Sequence, residues 1–274
     1  MTPIRLVVSD VDGTMVTTDK ALTPGTIAAA HRLRDAGVHL ALVSSRPPRG
    51  MMHVQRALGL NGPLGGYNGG TILAPDGSVI EQRLVPEAAV RTTLALLKRH
   101  GIGAWLFADD QWLIQDLDGD YVPRERHTVQ FEPTVVDSFE PYVARCGKVV
   151  GASAKFTLLA ECETELQGLL QGAALAHRSQ QYYLDVTHPD ADKGTVLDAI
   201  AKFYGVGRDA TAAIGDMTND VPMLRIAGMG IAMGNAPPDV AAQAAFHTGS
   251  NEAEGWAEAI DRLVLPHAAG RDAA

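Results

Sequence analysis

Two carboxylates one residue apart, Asp10 and Asp12, close the run Ser9-Asp10-Val11-Asp12-Gly13-Thr14, directly behind Ile4, Leu6, Val7 and Val8. Such β-branched and aliphatic residues describe a strand covered on both faces, and Gly13 stops it. In an extended chain, residues two apart point the same way, so the acids face one place. Like charges that close repel and raise a pKa unless a cation or a phosphate-handling site accounts for them. Asp-Gly is a common turn pair, yet nothing in a turn requires both acids. An EF-hand loop does not fit, because Thr14 stands where Asp or Asn is wanted and Ala21 replaces the closing Glu.

Three more short segments carry polar groups behind apolar runs. Ser44, followed by Ser45 and Arg46, ends the run Val38 to Val43. Lys193, in Asp190-Ala191-Asp192-Lys193-Gly194-Thr195, resembles the tail of a Walker A loop without the glycine that loop needs upstream. Gly215-Asp216-Met217-Thr218-Asn219-Asp220 follows the run Ala210 to Ile214. Each has an ordinary explanation taken singly: a loop hydroxyl, a solvated Lys, an Asp N-cap. All four nevertheless fall where a strand or linker meets a following helix, and in an open α/β sheet the carboxyl ends of the strands converge on the ligand crevice.

The elements that would bring them together can be read from periodicity and caps. Pro24 to Ala36 has Pro near its start, apolar residues at helical spacing and Gly37 as a stop. Val38 to Val43 reads as a strand, and Pro47 opens a helix to about Leu58, stopped by Gly59. The alternation returns late: helix Lys193 to Tyr204, strand Ala210 to Ile214, helix Val221 to Ala227, strand Gly230 to Met233, then helices Pro237 to Ala245 and Glu254 to Leu263. Strand alternating with helix is the pattern of a parallel, doubly wound, Rossmann-like α/β core. Residues 1–82 and 188–274 are expected to form it.

The middle, 83–187, differs in texture. A helix around Leu94 and Leu97 leads into short apolar stretches, Gly103 to Phe107 and Trp112 to Gln115, parted by Asp109-Asp110, which is hairpin grammar. A second, smaller α+β domain is expected here. Ten of the fifteen aromatic residues fall in it, as packing for a thin sheet; Trp105 or Tyr121 stacking on a substrate ring is the minor alternative.

Composition narrows the partners. A net charge of -9 without a Lys/Arg cluster argues against nucleic acid or an anionic membrane, so a small anionic substrate would need a local positive site. Cys146 and Cys162, the two cysteines, lack CxxC spacing and read as buried free thiols in a reducing compartment. The first apolar run is too short for a signal peptide and is followed by acids, and no run approaches membrane-spanning length, so a cytoplasmic location is expected.

The four segments, in this order, resemble the motifs of the haloacid dehalogenase superfamily in its Cof-type phosphatase branch. Tyr67-Asn68-Gly69-Gly70, Met233-Gly234-Asn235-Ala236 and Asn251-Glu252-Ala253-Glu254-Gly255 extend the resemblance over nearly the whole chain. It departs at Ser44-Ser45-Arg46, where the family usually has Thr-Gly-Arg, and at Gly255-Trp256, where Gly-Val is frequent. The resemblance implies that 83–187 is an α+β cap inserted between the second and third motifs. It also implies a Mg²⁺-dependent phosphatase of small phosphorylated metabolites, such as sugar phosphates, working through an aspartyl-phosphate.

In that scheme Asp10 is nucleophile and metal ligand, and Asp12 serves the leaving alkoxide as acid, then water as base, while lending a backbone carbonyl to the metal. Asp216 is a further metal ligand, and Asp220 orients the set. Ser44, Ser45, Lys193 and Asn219 are the phosphate-binding positions. Asn68 and His188, near the cap junctions, either touch the leaving group or are hinge residues. A phosphotransferase or mutase using the same intermediate is the alternative. A receiver-like phospho-Asp module would be about half as long and capless.

Overall fold

The apolar run ending in Asp10 becomes β1 (Leu6–Asp10), buried throughout, and the computed structural model describes the chain over residues 2–268. Helix α1 (Pro24–Asp35) starts as expected: the Thr23 hydroxyl accepts from the Thr26 N–H at 3.1 Å, Pro24 opens the first turn, and Arg32 and Arg34 sit at the carboxyl end. Then follow β2 (His39–Val43), α2 (Met52–Ala57), β3 (Leu64–Gly66), β4 (Thr71–Leu73) and β5 (Val79–Gln82). The middle of the chain supplies α3 (Glu87–Arg99), β6 (Gly103–Ala108), β7 (Gln111–Ile114), α4 (Val122–Val129), β8 (Thr134–Val135), β9 (Cys146–Ala152), α5 (Phe156–Leu170), β10 (Leu175–Gln180) and β11 (Tyr183–Thr187). The last third carries α6 (Lys193–Tyr204), β12 (Thr211–Gly215), α7 (Val221–Ile226), β13 (Met229–Ala232), α8 (Pro238–Ala241), β14 (Phe246–His247) and α9 (Gly255–Ala259).

One sheet runs β14-β13-β12-β1-β2-β3-β4-β5, parallel from β14 through β3. The chain builds outward from β1 to β2 and β3, then returns to build β12 to β14 on the other side. β1 and β12 therefore flank the point where strand order reverses, the usual place for a ligand crevice. Apolar clusters cover both faces: Val7, Leu33, Leu42, Ile214 and Trp256 on one, Val8, Val43, Leu197, Ile200 and Met223 on the other. The near-continuous apolar character of β1 and β12 follows from being covered twice.

The second sheet, β10-β11-β9-β6-β7-β8, is antiparallel except for its last pair. Its residues alternate by face: Leu106 and Ala108 pack toward α3 and α5, Trp105 and Phe107 toward α4. Trp105 is buried edge-on to Trp112 and to Tyr183, both at 5.2 Å between ring centres, so it is packing and not a substrate platform. Tyr121 stacks on Tyr182 at 4.3 Å. Tyr67, from the turn between β3 and β4, is buried in the same aromatic cluster. Cys146 and Cys162 are buried free thiols, as expected.

Several boundaries differ from the sequence reading. The helix expected from Pro47 opens as a 3-10 turn, Pro48–Met51, before α2. The helix expected over Pro237 to Ala245 stops at Ala241, because Phe246 and His247 pair with β13 as an edge strand. α9 passes into π-type turns over Ile260–Val264. The antiparallel β4 and β5, absent from the sequence reading, are joined by a turn in which the Asp76 side chain accepts from both the Ser78 N–H and its hydroxyl. Among the described residues no helix is long and apolar enough to cross a membrane.

Candidate active site

Asp10 ends β1, and Asp216 follows directly on β12, the strand hydrogen-bonded beside it. Lys193 is the first residue of α6, where the Asp192 carboxylate caps the N–H groups of Gly194 and Thr195 at 2.7 and 2.9 Å. That cap fixes the helix start and delivers the Lys193 ammonium between Asp10 Oδ1, at 2.6 Å, and Asp220 Oδ1, at 2.5 Å. Asp220 uses its other oxygen on the backbone N–H groups of Asp216 and Met217, both at 2.9 Å. It reaches them because residue 215 is glycine: a Cβ there would lie 2.4 Å from the Asp220 carboxyl carbon. With both oxygens spent, Asp220 holds the loop and the ammonium in place.

The Thr14 hydroxyl lies 3.3 Å from Asp10 Oδ2 and 3.2 Å from Asp216 Oδ1. Asn235 Nδ2 donates to Asp216 Oδ2 at 3.0 Å and to the Gly13 carbonyl at 2.9 Å, tying the Met-Gly-Asn-Ala segment to the loop behind β1. Trp256, the bulky departure from the family pattern, is buried beneath β1, and its Nε1 donates to Ser9 Oγ at 2.9 Å.

Burial and crowding set the electrostatics. Burial is the chief cause that raises the Asp10 carboxyl well above its ordinary value; Lys193 opposes it, and the charges of Asp220 and Asp216 reinforce it. Asp216 is pushed up to about 7, by burial first and then by Asp220. The Lys193 ammonium is raised despite burial, because Asp10 and Asp220 favour its charged form.

Oxygens of Asp10, Asp216 and Asp220 lie within 4.8 Å of one another, all three residues are buried, and one ammonium faces them. Of these, Asp10 and Asp216 are oxygen donors that fit a hard divalent cation such as Mg²⁺, while Asp220, its oxygens already spent, holds them in place.

Asp12 behaves differently from the sequence expectation of a protonated acid. Arg46 grips it with two bonds, Nε to Oδ2 and Nη2 to Oδ1, both 2.7 Å, and Lys20 adds a third at 2.7 Å. Burial raises the Asp12 carboxyl, but these two cations outweigh it and hold it well below the usual carboxylate range. Asp12 is therefore held as the carboxylate. Nη1 of Arg46 reaches the Thr128 carbonyl at the end of α4 at 2.8 Å, and Lys148 reaches back from β9 to the Ser45 carbonyl at 3.2 Å. The second sheet is thus fastened to the Ser44-Ser45-Arg46 loop beside Asp12.

Ser44 is buried at the end of β2, its Oγ accepting from the Arg46 N–H at 3.1 Å. Ser45 lines the cavity at Asp10 and Asp12, and its φ is not in the left-handed region, so this backbone makes no demand for the family's glycine. Asn219 lines the same cavity and donates to Asn68 Oδ1 at 2.9 Å. Asn68 has φ 57° and a buried Nδ2 without a partner, a donor left free next to Asn219. His188 stands apart: it is half-buried, its Nδ1 accepts from the Asp190 N–H at 3.1 Å, and it lines none of the cavities at Asp10 and Asp12.

The inner cavity, about 90 Å³, is bounded by Asp10, Asp12, Ser45 and Asn219 from the first sheet and by His177, Arg178, Ser179 and Gln180 from β10. It adjoins an outer cavity of about 490 Å³ that reaches Lys20, Arg124, Asn251 and Gln181. Burial pushes the His177 imidazole down, and its buried Nε2 has no partner. His177, Arg178, Arg124, Lys20 and the grip of Arg46 were missed in the sequence. They carry no motif, and only the return of β10 over the crevice reveals them.

Ordered carboxylates, a buried Lys and a second sheet closing over the switch point of a parallel sheet match one family. The family model for haloacid dehalogenase-like hydrolases covers residues 7–260. The chain belongs to the haloacid dehalogenase-like hydrolases. It is 27% identical to the pyridoxal phosphate phosphatase YbhA of Escherichia coli over 93% of this chain and 97% of that one. With the HMP-PP phosphatase of Cronobacter sakazakii the identity is 29%, over 87% of each. The crystal structure of a haloacid dehalogenase-like hydrolase from Bacteroides thetaiotaomicron superposes with a TM-score of 0.87 at 27% identity, covering 95% of this chain and 99% of that one.

Proposed function

We propose that this protein is a Mg²⁺-dependent phosphatase that hydrolyses small phosphorylated metabolites in the cytoplasm through an aspartyl-phosphate on Asp10. The observation that carries the reading is the meeting of Asp10, Asp12, Lys193, Asp216 and Asn219 at the switch point, under a second sheet. Of the expected core, 1–82 and 188–274, the described residues 2–82 and 188–268 act as the catalytic core and 83–187 as its cap; residues 1 and 269–274 lie outside the described residues. Asp10, Asp216 and the backbone carbonyl of Asp12 would hold the cation, which supplies neutralisation of the phosphate charge and keeps the attacking group in line.

Asp10 attacks phosphorus as its bond to the leaving oxygen breaks. Lys193, Ser44 and Asn219 stabilise the non-bridging oxygens, with Ser45 at the cavity wall and the free Nδ2 of Asn68 behind Asn219. Asp12, held charged by Arg46 and Lys20, suits the second step, in which a base takes a proton from the water that attacks the phosphoenzyme. To protonate the leaving alkoxide in the first step, it must loosen from these partners and pick up a proton. The cap excludes bulk water meanwhile.

Turnover of p-nitrophenyl phosphate with and without Mg²⁺, in the wild type and in Asp10→Asn, tests the proposal. Activity that needs Mg²⁺ and vanishes in Asp10→Asn is expected. Wild-type activity surviving in Asp10→Asn would refute the aspartyl-phosphate.

A further inference from the structure

The outer cavity differs in charge from the rest of the molecule. The chain carries a net charge of -9, yet the wall that β10 and α4 hold over the crevice presents Arg124 and Arg178, with Lys20 opposite. These cations are not equally committed. Lys20 is spent on Asp12 at 2.7 Å. Arg178 gives only its Nε to a carboxylate, Glu163 at 2.8 Å, so its two terminal amino groups have no partner among the described residues. Arg124 makes no ion pair among the described residues and lies over the Tyr182 ring at 5.1 Å, an aromatic face that holds the guanidinium without using its hydrogen-bond donors.

Asp12, Gly13 and Asp216 line the side toward the inner cavity, with the Asp12 charge met by Lys20 and Arg46; the other walls are Thr18, Asn251, Ser179, Gln180 and Gln181, and Met217 is the one large apolar side chain. An aromatic leaving group would find little to stack on there. A leaving group rich in hydroxyls with an acid at its far end would find amide, hydroxyl and guanidinium donors.

We infer that Arg124 and Arg178 bind a second anionic group, a carboxylate or a phosphate, on the leaving portion of the substrate, so that the preferred substrates are small phosphomonoesters bearing two acid groups. The inference rests on the phosphatase reading and narrows its substrate class. The phosphoryl group sits at Asp10, in the inner cavity; the second anion lies outward, between α4 and the β10–β11 turn. Guanidinium groups suit planar, two-pronged recognition of either acid.

The experiment compares two substrate pairs that differ by one acid group: 6-phosphogluconate against glucose 6-phosphate for a carboxylate, and fructose 1,6-bisphosphate against fructose 6-phosphate for a phosphate. In at least one pair the doubly acidic member should have a kcat/KM at least about tenfold higher, a difference of about 1.4 kcal/mol. Arg124→Ala should remove most of that advantage, chiefly through KM. Arg124→Lys should keep part of it, and Arg124→Glu should reverse it. Arg124 is exposed on α4, so these variants are expected to fold. Turnover of both members of both pairs with equal kcat/KM, or an advantage that survives Arg124→Glu, overturns the inference and leaves the phosphatase reading standing. Turnover of no phosphomonoester removes both.

Discussion

The crowding of Asp10, Asp216 and Asp220 predicts an inverted pH dependence of stability in the metal-free protein. Asp216 titrates near 7 when folded against 3.8 ordinarily, so between these values the folded chain holds a proton that the unfolded chain has lost. Stability is therefore fullest below the unfolded pKa and falls as pH rises through the folded one. At about 1.4 kcal/mol per unit of pKa, the whole effect is on the order of 4 kcal/mol, of which roughly 3 kcal/mol is lost between about pH 5 and pH 8. Urea unfolding in EDTA at those two pH values measures it, and Asp216→Asn serves as the reference because it removes the titrating group. The wild type should lose roughly 3 kcal/mol more than Asp216→Asn over that interval. Added Mg²⁺ at about a hundred times its Kd should restore about 2.7 kcal/mol at the higher pH. Equal pH slopes in the two proteins would refute the account of a buried carboxylate crowded by its neighbours.

Other consequences follow from the same contacts. Lys193→Met leaves Asp10 and Asp220 buried without their shared cation and should cost about 3–5 kcal/mol in urea unfolding at neutral pH. The cost should shrink in acid, where the carboxyls can protonate. Arg46→Ala strips Asp12 of its two-pronged partner and cuts the link to Thr128, with a loss of similar size, about 3–5 kcal/mol. Arg46→Lys should recover less than half of it, since one ammonium cannot span Asp12 and the Thr128 carbonyl together. Gly13 has φ +76°, and a Cβ there would stand 2.4 Å from Asp216 Oδ2. Gly13→Ala should therefore lower stability by more than about 1 kcal/mol and kcat by at least about tenfold, read from urea melts and p-nitrophenyl phosphate turnover.

The sequence by itself determined the parallel strands β1, β2, β12 and β13 of the first sheet and the residues at their ends, while the outer strands β4, β5 and β14 were not legible in it. Asp10, Ser44, Lys193 and Asp216 were legible because local rules place them: apolar runs make buried strands, caps start helices, and strand ends in a parallel sheet share one edge. The helix Lys193–Tyr204 was read to the residue, since its Asp192 cap and Gly205 stop are written locally. Tertiary structure alone decided the charge on Asp12. That depends on Arg46 and Lys20 reaching the same carboxylate from two different loops, and nothing in their spacing announces it. It also decided which residues of the second sheet face the crevice. His188, beside the predicted junction, stays outside, while His177, Arg178 and Arg124 come in, because the antiparallel pairing of β10 with β11 brings that hairpin over Asp10. Backbone hydrogen bonds and burial act within an element and are readable along the chain, whereas ion pairs between loops and the lining of a cavity exist only once distant segments meet.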